Sequence, residues 1–306
     1  MHENEMLTAA RPNRIAIIYL VYDNRHIDGG VTLLRSIVAR MFGDCEISTI
    51  VVDNASGAPG SFRNWTNGGL VISGDNRLHE FSGWERGYEV ACDEFDLADR
   101  DLILFANDTF DRQARRGYLD ALDRKLVENR DACSSSIGYC DDLPRDARLL
   151  GLTHRWWFRS NIFIHRKATV DRLLPLSFPV GTRELFSDDP NDFWSDSDII
   201  SENWKAYVSC WLFGAHDRRF PEYRLVWHKA EPLTAANKAF FRIKALCILS
   251  EHYIGARLAH WRVPVIDFNL LERTSDRHVG NYARQFLETG AIAIQTPKKI
   301  DSPLES

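Results

Sequence analysis

The sequence predicts an α/β fold: a mostly parallel sheet flanked by helices, with a helical appendage at the C-terminus. Three observations predict it. Short β-rich apolar runs alternate with segments of helical period through the first half of the chain, as consecutive βαβ units do. Two of these runs end in turns rich in Asp and Asn, at 53–57 and 107–109, and such strand ends are where open parallel sheets bind ligands. A long amphipathic stretch, Lys238 to Trp261, follows the last strand-like text.

Taken in order, Arg14 to Tyr22 (RIAIIYLVY) reads as a strand buried on both faces. Val31 to Phe42 follows as a helix with Leu33, Leu34, Ile37, Val38 and Met41 along one stripe. Ile47 to Val52 is the second strand and Leu70 to Ser73 a short third one. Phe81 to Phe95 is helical, Leu102 to Ala106 (LILFA) is another buried strand, and Arg112 to Asn129 has helical spacing. Ile137 to Leu152, rich in Asp and Arg, reads as irregular, and Trp156 to His165 as a strand near the edge of a mixed sheet. Phe178 to Trp194 is loop-like, and Asp196 to Tyr207 opens a helix through a Ser/Asp-rich cap. These elements divide the chain into a flexible N-terminus (1–13), one large domain (14–235, in halves 14–110 and 111–235), a C-terminal helical extension (236–296) and a disordered tail (297–306).

Composition narrows the functional classes. The chain has 306 residues, 44% hydrophobic and 26% charged, an ordinary globular balance with enough length to bury a sizeable core. A formal net charge of -5 gives no overall attraction to a polyanion, which argues against nucleic acid as the main partner. Six scattered cysteines form no C-x-x-C pair and read as reduced, buried thiols. Neither a signal-peptide-like N-terminus nor an apolar run of membrane-spanning length is present, so a cytoplasmic protein is expected.

The chemistry-bearing residues cluster at the predicted strand ends. Asp53 and Asn54 suit the base and ribose edges of a nucleotide, and Asp108 is placed to hold a divalent cation, Mg²⁺ or Mn²⁺, that would bridge to a diphosphate. The ordered segments VVDNAS (51–56), GDN (74–76), FSGWERGYEVA (81–91) and LILFANDT (102–109) resemble the signposts of glycosyltransferase family 2, over roughly the first 110 residues. The resemblance implies a Rossmann-like domain of the GT-A kind that binds a nucleotide-sugar donor in its first half. It also implies that Asp53 contacts the nucleoside, that the segment Asn76 to Gly87 lies beneath the donor, and that Asn107 and Asp108 stand for the metal motif. Here that motif is Asn107-Asp108-Thr109, as in rhamnosyltransferase-like members, so its first acid is absent.

Other residues fill out the expected site. His228 is a candidate second metal ligand, against the alternative of a histidine satisfied at a strand end. Inverting transfer needs a general base, and the resemblance points to Asp196 and Asp198, favouring Asp198; helix capping explains both residues equally well. Arg86 and Lys229 could neutralise the diphosphate, or be solvated surface cations. Trp157 and Trp194 offer aromatic faces to an acceptor sugar and Arg159 a donor to its hydroxyls, with core packing as the alternative. Lys238 to Trp261 either packs on the domain or lies against the inner face of a membrane that carries a lipid-linked glycan acceptor. The expected activity is transfer from a UDP- or dTDP-sugar to an O-antigen or capsule acceptor. The alternatives are an inactive glycosyltransferase-like binding module and, more remotely, a nucleotidyltransferase.

Overall fold

The computed structural model describes residues 12–55, 62–65, 69–110, 136–189 and 192–267. The helix expected at 112–129, most of the N-terminal segment 1–13 and the tail 297–306 lie outside the described residues.

Strand β1 (Arg14–Val21) is almost wholly buried because it runs through the middle of the sheet with a helix on each face. Its alternate side chains feed two layers. Ile15, Ile17, Tyr19 and Val21 pack with helix α1 (Ile27–Phe42), and Ala16, Ile18 and Leu20 with helix α2 (Glu80–Glu94). Strands β2 (Glu46–Asp53), β4 (Gly69–Ser73) and β5 (Leu102–Asn107) join β1 in a parallel block in the order β4-β2-β1-β5. Strand β3 (Phe62–Trp65) pairs antiparallel with β4 outside it. The glycines of the 81–91 motif explain how α2 reaches the sheet. A Cβ on Gly83 would lie 2.3 Å from the Leu20 side chain, and one on Gly87 2.5 Å from Ile18.

The second half departs from expectation in five ways. Residues expected to be irregular form a long strand, β6 (Ser136–Leu149), which turns through Leu150 and Gly151 into β7 (Leu152–Arg166). The alternation of β6 is obscured by register breaks between Gly138 and Cys140 and between Asp142 and Ala147, so its charged residues mimic a loop. Strand β7 is interior, not marginal: it lies antiparallel between β5 and β6, and a last strand, β8 (Val265–Asp267), joins β6 in parallel. The region expected to be purely helical thus closes the sheet.

After two short helices, α3 (Lys167–Leu173) and α4 (Thr182–Leu185), helix α5 (Glu202–Phe213) starts at Glu202, well after Asp196. The hydroxyls of Ser195 and Ser197 take up the N–H groups of Ser197 and Ile199, and Ile200 bridges to Leu149, so local turns and strand pairing compete with helix. Finally, α6 (Lys238–His260) is no appendage. It crosses β7 with Phe241, Ala245, Leu249, His252, Ile254, Ala256 and Leu258 buried, so it does not lie along a membrane over its length. No helix among the described residues is long and apolar enough to cross a membrane.

The crossing of α6 on β7 is tight at Gly255, where a Cβ would fall 2.6 Å from the Trp156 carbonyl oxygen and 2.9 Å from Trp157 Cα. Backbone cannot yield as a side chain can. Gly255→Ala is therefore expected to destabilise the fold by about 2–3 kcal/mol, seen as a lower urea midpoint with unchanged slope.

Candidate active site

The carboxyl edge of the parallel block is level because Leu20 pairs with Asn107 and Val21 with Asp53 across the sheet. Asp53 is buried there, and its Oδ1 accepts the Ala55 N–H at 2.9 Å. Asn54 ties the edge to the loop that follows β4. Its backbone N–H donates to Val21 at 2.9 Å, and its Nδ2 donates to the His79 carbonyl at 3.0 Å and to Asn76 Oδ1 at 3.5 Å. Gly74 makes room for this tie, since a Cβ there would meet Asn54 Oδ1 at 1.8 Å.

The Asn76–His79 turn is strained. Asn76 and His79 both adopt left-handed backbone angles, φ 49° and 47°, a cost of about 1–3 kcal/mol each that clusters at ligand-binding edges. Ser82 holds the turn in place, accepting the Leu78 N–H at 3.1 Å and donating to Asp75 at 2.7 Å.

Asp108 and Asn107 engage opposite neighbours. Asp108 is buried and its Oδ2 accepts the Tyr22 N–H at 3.0 Å, at the end of β1. The Asn107 amide donates the other way, to the Ser160 carbonyl on β7 at 3.0 Å and to Glu80 at 3.4 Å. Glu80 and Ser160 belong to the wall of a cavity of about 220 Å³, together with Trp157, Arg159, Lys244 and Glu251. Asn107 therefore ties the sheet edge to the cavity wall.

Glu251 is the group that sequence reasoning missed. It stands one helical turn before Gly255, keeps a small face open to the cavity and accepts the Ser160 N–H at 2.9 Å. Burial pushes its carboxyl up to about 7; the Ser160 hydrogen bond and Lys244 pull it down, and Glu80 raises it further. The sequence carried a signal for it. Phe241, Ile248, Glu251, His252 and Gly255 share the inward face of an amphipathic helix, and an acid on such a face is unusual.

Around Glu251 the wall is rigid. Trp157 stacks on His252 with ring centres 4.0 Å apart. Trp204 Nε1 donates to His252 Nδ1 at 3.0 Å, which fixes the His252 proton on Nε2, and His154 Nε2 lies 3.0 Å from the same nitrogen. Burial pushes His252 well below the ordinary histidine range and His154 down to about 4, so both are neutral. Arg159 is clamped by a two-pronged ion pair with Asp141, both contacts at 2.7 Å.

The sequence-predicted residues thus divide. Asp53, Asn54, Asn76, Asn107 and Asp108 gather at the sheet edge, and Trp157 and Arg159 line the adjoining cavity. Trp194 and Asp196 line a different, wider cavity of about 580 Å³ on the other side of α5, with Lys205 and Ser209. Trp194 there donates to Ser209 at 2.9 Å and stacks on Phe186. Asp198 is exposed and lines neither cavity. Arg86 is exposed in mid-helix, paired with Glu89 at 3.2 Å. His228 is exposed with its ring against Trp227.

No three His, Cys, Asp or Glu side chains among the described residues gather where they could hold a metal ion. Asp108 Oδ2 accepts the Tyr22 N–H and the Asn107 amide donates to the cavity wall.

Comparison with protein-family models, with curated proteins and with solved structures gives no match.

The raised carboxyl of Glu251 has a consequence for stability. Below the ordinary glutamate range it is protonated in folded and unfolded chains alike; as pH rises toward 7 the unfolded chain ionises first, and folding loses free energy. Glu251→Gln removes that loss. The variant is expected to gain on the wild type between about pH 5 and 7, reaching about 3 kcal/mol at pH 8, as measured by urea unfolding across pH.

Proposed function

We propose that this chain is an inverting glycosyltransferase that moves a sugar from a UDP- or dTDP-sugar to a hydroxyl of a surface-polysaccharide acceptor, of the O-antigen or capsule kind. The observation that carries this reading is Glu251, a carboxylate with a proton affinity raised toward neutrality in a cavity whose wall is hydrogen-bonded to Asn107 at the carboxyl edge of an α/β sheet. A base for this reaction must take a hydroxyl proton at physiological pH, and a buried Glu titrating near 7 suits that task better than the exposed Asp196 or Asp198.

In the proposed step the acceptor hydroxyl gives its proton to Glu251 as its oxygen bonds to the anomeric carbon. The bond from that carbon to the diphosphate oxygen breaks on the opposite side, and the nucleotide diphosphate leaves with the electron pair. Asp53, Asn54 and the Asn76–His79 turn suit the nucleoside. Lys244, on the cavity wall, is the cation at hand for the developing negative charge. Trp157 and Arg159 suit the acceptor. No part of the step is routed through a metal.

Two measurements test the reading. UDP or dTDP should raise the melting temperature of the wild type, and Asp53→Ala should abolish that rise; no shift with UDP, dTDP or GDP removes the donor site. With a turnover assay in hand, Glu251→Gln should lower kcat roughly 10²- to 10⁴-fold with nucleotide binding retained. The wild-type rate should rise with pH through an inflection near 7, since Glu251 must be ionised to act. Asp198→Asn should leave turnover unchanged, and its loss of activity would return the base to the 196–198 loop.

A further inference from the structure

Most of the exposed large apolar side chains among the described residues fall on two short segments. Leu225 is 79% exposed and Val226 46%, and Phe240 and Ile243, one turn apart at the start of α6, are 47% and 38% exposed. Trp227 holds the segments together, its ring stacked on both Trp211 and Phe240 with ring centres 5.3 and 6.4 Å away. Apolar groups left this open beside one another on a folded chain mark a contact surface.

Cations surround this surface. The ammonium groups of Lys229 and Lys244 lie 6.0 and 5.7 Å from the Trp227 ring centre, and Arg224 is exposed beside Leu225. None of the three is in an ion pair among the described residues. Arg242, at the inner margin, lies 3.7 Å from Asp188. The stretch 224–229 (RLVWHK) contains no acid, nor does 238–244 (KAFFRIK), on a chain whose net charge is -5. A cationic, apolar face on an acidic protein is complementary to one kind of surface in particular: anionic headgroups over an acyl layer, with Trp227 at the boundary.

We propose that this face docks the protein on an anionic lipid surface, with Leu225, Val226, Phe240 and Ile243 entering the headgroup layer and Arg224 and Lys229 meeting its phosphates. The contact is a tip made of one loop and the first two turns of α6, because the rest of that helix is buried on β7. Lys244 and Trp211 also line the 220 Å³ cavity, so docking brings the cavity mouth to the lipid surface. The proposal rests on the surface alone and stands or falls independently of sugar transfer.

Vesicle sedimentation of the full chain tests it. Binding is expected to vesicles of phosphatidylcholine with phosphatidylglycerol and to fall at least about tenfold on phosphatidylcholine alone or in high salt. Leu225→Ser with Phe240→Ser should abolish binding, and Lys229→Glu should weaken it about tenfold or more while the far-ultraviolet circular dichroism stays unchanged. Absence of binding to the anionic vesicles overturns the proposal, as does binding that both variants retain. A concentration-dependent dimer in light scattering, dissolved by the Ser substitutions without any vesicle binding, would overturn it in favour of a second copy of the chain as the occupant.

Discussion

The close crossing of α6 on β7 is the constraint on which the rest of the site depends. Gly255 lets the helix backbone approach Trp156 and Trp157 with no side chain between them. One turn earlier, the same face delivers Glu251 to the Ser160 N–H, and His252 stacks on Trp157. Farther toward the helix start, Lys244 reaches the cavity wall, and Phe240 and Ile243 emerge at the surface. A shift in that contact would move Glu251, the cavity floor and the exposed tip together, because a helix carries its side chains as a rigid set.

The sheet edge is organised by a second principle, the tying of neighbouring elements through polar side chains. Asn54, Asn107 and Asp108 each satisfy backbone or side-chain partners on neighbouring elements, so they fix a turn, a strand and a cavity wall while presenting polar surface to the edge. Asn107 is the hinge between the two halves of the site. As an amide it can donate to both the Ser160 carbonyl and Glu80, which an aspartate in its place could not do. The amide at position 107 is thereby accounted for by hydrogen-bonding needs.

The energetic cost of the site is visible in two places. The left-handed Asn76 and His79 are held by Ser82 and Asn54 against their own preference. Glu251 is kept where ionisation is unfavourable, so a group suited to accept a proton is also one whose removal strengthens the fold above neutrality.

Strand and helix identity in residues 14–107, apart from the short β3 (Phe62–Trp65), which the sequence reading did not find, was legible because each element is read from its own periodicity: runs buried on both faces for β1 and β5, and a stripe for α1. The strand-end residues Asp53, Asn54, Asn107 and Asp108 followed from the same reading, since parallel strands place their carboxyl ends together. What the sequence could not determine depends on which elements lie side by side. The bulges of β6 hid its alternation, and Ile200 was drawn into a bridge with a strand roughly fifty residues away. The placement of α6 decided that Glu251 would be enclosed, that Trp157 and Trp194 would face separate cavities, and that Asp198 would stay in solvent. Proton affinity is set by surroundings that meet only when the chain is folded, so local pattern could supply the acids and only tertiary packing could choose among them.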